Sequence, residues 1–78
     1  MPISASLAMF EHTAREIAEE MARDPSPLAL AIARRARDMI ELFRSWGAQA
    51  PSAEARAHAI QKVLDLHREA HEHQASRR

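Results

Sequence analysis

The chain has no cysteine and no tyrosine. The missing cysteine excludes disulfide staples, thiolate metal sites and a thiol nucleophile. Only one glycine is present, Gly47, so there is no Gly-rich turn to cradle a phosphate and no dinucleotide fingerprint. Aromatic residues are limited to Phe10, Phe43 and Trp46. A surplus of one charge is also lacking. Eleven Lys and Arg offset eleven Asp and Glu, for a formal net charge of +0 at pH 7. Nucleic-acid binders carry a basic excess, so that partner class is disfavoured. Neutrality also removes the self-repulsion that keeps small proteins apart. The longest apolar run, Leu28 to Ala33, falls far short of the ~20 residues of a membrane-spanning helix, and no membrane partner is expected. The opening Met1-Pro2-Ile3-Ser4 has no basic region, and Glu11 interrupts the apolar stretch behind it. No signal peptide is expected, and the default location is cytoplasmic.

What is present is alanine, arginine and helical punctuation. With 78 residues the chain has room for one domain with a modest core. Domains of this size usually need a staple, and without cysteine the remaining ones are self-association and a histidine-bound metal. Ten arginines against one lysine, with abundant alanine, suit a small bacterial or phage protein from a GC-rich genome.

Two breaks divide the chain. Asp24-Pro25-Ser26-Pro27 cannot continue a helix, because each proline lacks an amide hydrogen and restricts the residue before it. Gly47-Ala48-Gln49-Ala50-Pro51 is the second, with the glycine where a helix C′ residue belongs. Ser26 followed by Pro27 reads as an N-cap and first helical residue, Ser52 before Ala53 and Glu54 as a capped, acid-favoured first turn. Ser4 or Ser6 is the expected cap of the first helix. The pattern predicts helices at about 5–23, 27–46 and 52–74, with 75–78 a frayed tail. The fold class is all-α: a three-helix up-down-up bundle, or a helical hairpin plus helix, completed by dimerisation.

The apolar faces differ in width. The first helix carries a seam of Ile3, Leu7, Phe10, Ala14, Ile17 and Met21, spaced alternately by four and three. The second is apolar over about half its circumference, from Leu28, Ala29 and Ile32 to Leu42, Phe43 and Trp46. The third is also broad, through Ala53, Ala57, Ile60, Val63, Leu64, Leu66 and Ala70. Two broad faces exceed what one narrow seam covers, so a second copy or another protein is expected to cover the rest. Charge favours pairing of the first two segments. Residues 1–24 hold five acids against Arg15 and Arg23, whereas residues 25–50 hold four arginines against Asp38 and Glu41.

Three features could carry function. His67 and His71 are four apart and share a helix face, so together they could chelate a divalent transition metal such as zinc, with Glu20 a weaker third ligand. They share the side of Ile60 and Leu64 and are expected to point inward. The ordinary account is polar residues at a helix C-terminus, favoured there when protonated. Arg34, Arg35 and Arg37 could meet phosphates, but Arg34 with Asp38 and Arg37 with Glu41 are intrahelical pairs at i,i+4. Arg35, between Leu28 and Leu42 on the apolar arc, is expected to lay its stem over the core edge or pair with a partner's acid. Trp46 and Phe43, with Met39 and Ile40, are ordinary core if buried and a binding hot spot if exposed. No serine has a histidine placed by spacing, so no catalytic role and no cofactor are expected.

The leading expectation is a non-catalytic helical interaction module, an adaptor, regulator, chaperone-like subunit or inhibitor, working as a homodimer or on a helical protein partner. Its contact residues are expected to be Leu28, Ile32, Arg35, Leu42, Phe43 and Trp46. The runner-up is a metal-binding bundle using His67, His71 and Glu20.

Overall fold

The computed structural model describes residues 3–47 and 50–76, and side chains from residue 7 onward. It contains three helices, α1 (Ile3–Ala22), α2 (Pro27–Trp46) and α3 (Ala53–Ser76), and no strand among the described residues. All three fall within a few residues of the ranges expected from punctuation. Residues 75 and 76 continue α3 instead of fraying, while Arg77 and Arg78 lie outside the described residues. The side chains of Ile3, Ser4 and Ser6 lie outside them too, but α1 already begins at Ile3, so Ser4 and Ser6 sit within the helix and neither is the first cap that was expected.

Three of the boundaries have a local cause in a side chain or a glycine. Ser26 is in extended backbone, and its hydroxyl accepts the Ala29 amide at 3.1 Å, with Pro27 as first helical residue. That satisfies one of the orphan amides at the start of α2. Gly47 ends α2 at φ 65, a conformation that costs glycine no Cβ clash, and its amide donates to the Arg44 carbonyl at 3.2 Å. The Ser52 hydroxyl accepts the Ala55 amide at 3.0 Å and caps α3.

The helices run along the molecule's long axis, as its 39 × 18 × 17 Å extents require of helices about 30–36 Å long. α1 and α2 make the most extensive contact. Alanine explains it: Ala14 and Ala18 on α1 and Ala29, Ala33 and Ala36 on α2 are all buried, and small side chains let helix backbones approach. Met21, Ile32 and Val63 are the largest fully buried side chains. The α1 seam is buried at Leu7, Ala14, Ile17 and Met21, with Phe10 packed at its edge.

α3 buries only part of the broad face the sequence suggested, the part through Val63, Leu66 and Ala70. Its core line is Ala59, Val63, Leu66 and Ala70. Ile60 is half-buried, and Leu64, His67 and His71 are exposed. Successive helical residues point about 100° apart, so the Ile60–Leu64 line sits a quarter-turn or so outside the core. The two histidines therefore face solvent.

Candidate interaction surface

Leu28, Arg35 and Leu42 are seven residues apart and form one edge of α2, all three exposed. Leu28 is 55% and Leu42 36% exposed. At Leu28 and Arg35 this edge borders a groove between α2 and α3, and Leu42 continues the edge beyond the groove lining. One part, about 260 Å³, is lined by Arg35, Asp38, Met39, Lys62, Asp65, Leu66 and Glu69. A second, about 380 Å³, involves Leu28, Ile32, Glu69, Glu72, His73 and Ser76. Between the two parts, the Arg35 guanidinium donates to Glu69 Oε1 at 2.6 Å. The acid that pairs with Arg35 thus comes from its own α3.

The six expected contact residues divide by burial. Leu28, Arg35 and Leu42 lie at the surface, and Trp46 is half-buried. Ile32 and Phe43 are core side chains, 0% and 2% exposed, so neither presents area to a partner in this fold. They sit nearer the centre of α2's apolar arc, where α1 and α3 both cover it. Phe43 meets Trp46 edge-on, with ring centroids 5.8 Å apart and planes at 87°, a favourable aromatic geometry. Trp46 works mainly as the lid of the core at that end.

The expected metal residues come only partly together. His67 and Glu20 border one groove between α1 and α3, with Thr13, Glu16, Ile17 and Arg23. His71 is one turn beyond His67 on the same exposed line. Among the described residues no group of three or more His, Cys, Asp or Glu side chains is placed to hold a metal ion.

The histidine that spacing did not single out makes the most buried polar contact. His73 Nε2 lies 2.9 Å from Asp24 Oδ2, with side chains 10% and 11% exposed. Asp24 Oδ1 also accepts the Ser26 amide at 2.9 Å, and Ser26 Oγ is 3.4 Å from the same His73 nitrogen. Asp, His and Ser in one cluster raise the question of a hydrolytic triad. In a triad the carboxylate and the hydroxyl engage opposite ring nitrogens. Here both approach Nε2, whose proton is needed by Asp24, and Ser26 Oγ is committed to the Ala29 amide. The geometry is a clasp that ties the end of α3 to the α1–α2 turn. The contact joins residues 49 positions apart, and nothing in the spacing along α3 selects His73 over His71.

No helix among the described residues is long and apolar enough to cross a membrane. Comparison with protein-family models, curated proteins and solved structures found no match.

Proposed function

We propose that this chain is a small non-catalytic interaction module, an adaptor, regulator, chaperone-like subunit or inhibitor, that docks a helix of a partner protein along the α2–α3 face. In this reading the helices run up, down and up, and the protein works in the cytoplasm. The observation that carries it is the exposed Leu28–Arg35–Leu42 edge, which lines the groove at Leu28 and Arg35 and extends past it to Leu42. Fourteen residues separate the leucines, about 21 Å of helix, room for about four turns of a partner. Amphipathic helices bind such grooves through residues at i, i+3, i+4 and i+7. The rim carries both signs, Arg35 and Lys62 with Asp38, Asp65 and Glu69, which suits a helix whose flanks also alternate in charge.

The test is affinity capture from the native host with the wild-type chain and with a Leu28→Glu, Leu42→Glu variant, followed by titration of the purified binder. Both substitutions sit at exposed positions, so folding is retained and checked by circular dichroism. The reading requires a helical binder that the wild type holds and the variant loses. Equal retention by both would remove it.

A further inference from the structure

Besides the α2–α3 groove, α3 shows a second apolar line on its other flank. Ala53, Ala57, Ile60, Leu64, His67 and His71 are spaced alternately by four and three, the repeat of a helix packing along one seam. Five of the six are exposed and Ile60 is half-buried; Leu64 is 48% exposed. Among the described residues α1 only flanks this line, at the groove that His67 borders. On α1, Met9 is 58% exposed and shares the helix face of Thr13, Glu16 and Glu20, which border the adjoining α1–α3 groove.

We propose that this outer seam of α3 binds the same seam of a second copy, antiparallel, giving a two-fold homodimer. Two observations fix the occupant and the register. The first is size. In an antiparallel pair centred between Ile60 and Leu64, Ile60 faces Leu64 of the second copy. His67 then faces its Ala57, and His71 its Ala53. Each large side chain at the outer layers meets a small one, and the apolar pair occupies the middle twice over.

The second is charge. The positions flanking the seam on its outer side are Glu54, Gln61 and Arg68, seven apart and all exposed. In the same register Glu54 faces Arg68 of the second copy, Arg68 its Glu54, and Gln61 its Gln61. In a parallel, in-register pair these positions face the opposite flank of the second helix, and no Glu54–Arg68 pair forms. Among the described residues Arg68 has only an exposed contact to Asp65 at 3.6 Å, which leaves its guanidinium able to reach across. The zero net charge puts no long-range repulsion in the way.

This seam and the α2–α3 groove lie on different flanks of α3, so the dimer does not rest on the partner proposed above, and either can fail alone. Sedimentation velocity of the full chain, from low micromolar to near-millimolar concentration, tests it. The wild type is expected to pass from monomer to dimer within that range. Leu64→Glu is expected to weaken the dimer more than about a hundredfold, because each interface contains that side chain twice. Glu54→Arg and Arg68→Glu each convert two attractive contacts into repulsive ones, for roughly a tenfold loss apiece. An equimolar mixture of these two variants restores both pairs and is expected to regain the dimer as a heterodimer. A wild type that stays monomeric throughout overturns the proposal. So does a dimer indifferent to Leu64→Glu, or one sensitive only to Leu28→Glu, which would place it on the groove. Failure of the mixture to recover would refute the antiparallel register.

Discussion

The His73–Asp24 clasp gives the sharpest energetic expectation. The perturbation is a double-mutant cycle of His73→Ala, Asp24→Asn and the pair. Asparagine keeps an oxygen for the Ser26 amide, so the α1–α2 turn survives while the charge is lost. The contact is 2.9 Å long between side chains about nine-tenths buried, so solvent does little to weaken it. Hydrogen bonds to a charged group contribute about 1.5–3 kcal/mol, and the coupling energy is expected in that range. For a domain of this size 1 kcal/mol shifts the melting temperature by ~4–8 °C. His73→Ala alone should therefore lower Tm by at least about 6 °C, read by circular dichroism at 222 nm. His71→Ala, at an exposed position two residues away, should stay within ~0.5 kcal/mol of wild type. A coupling energy under ~0.5 kcal/mol, or equal losses at His71 and His73, would refute the clasp.

Ile32→Ala removes a fully buried core side chain and should cost about 2–5 kcal/mol, seen as a lower urea midpoint at unchanged slope. A loss under ~1 kcal/mol would mean the site is not packed as described. Arg56→Met should be neutral or raise stability by about 1 kcal/mol, because Arg56 Nε is buried without a hydrogen-bond partner among the described residues and methionine keeps the length of the stem. A destabilisation larger than that would show the guanidinium to be structurally required.

Helix boundaries were legible because their causes are local. Pro25 and Pro27 stop one helix and start the next, and Gly47 and Pro51 bracket the second break. The α1 seam was legible because it is a single line with no competitor. On α3 Val63, Leu66 and Ala70 were legible as apolar, but the helix carries two apolar lines of similar strength, Ala59–Val63–Leu66–Ala70 and Ala53–Ala57–Ile60–Leu64, and periodicity cannot say which faces inward. The structure selects the first, and the expected inward histidines turn outward as a consequence. On α2 the arc was read correctly as broad. Its middle, at Ile32 and Phe43, is consumed by the chain's own core, and only the rim at Leu28 and Leu42 is left for a partner. The His73–Asp24 contact spans 49 positions, beyond any spacing rule within one helix. Arg35 was recognised as misplaced for a solvated face, but its partner Glu69 lies 34 positions away on another helix.

The central claim is that the Leu28–Leu42 edge is covered by another protein when the chain is at work. Hydroxyl-radical footprinting of the chain, alone and in native-host extract, measures this directly by mass spectrometry. Labelling of Leu28 and Leu42 is expected to fall in the extract, while Leu30, 49% exposed on a different side of α2, keeps its reactivity. Unchanged labelling at Leu28 and Leu42, or equal protection of Leu30, would contradict the account.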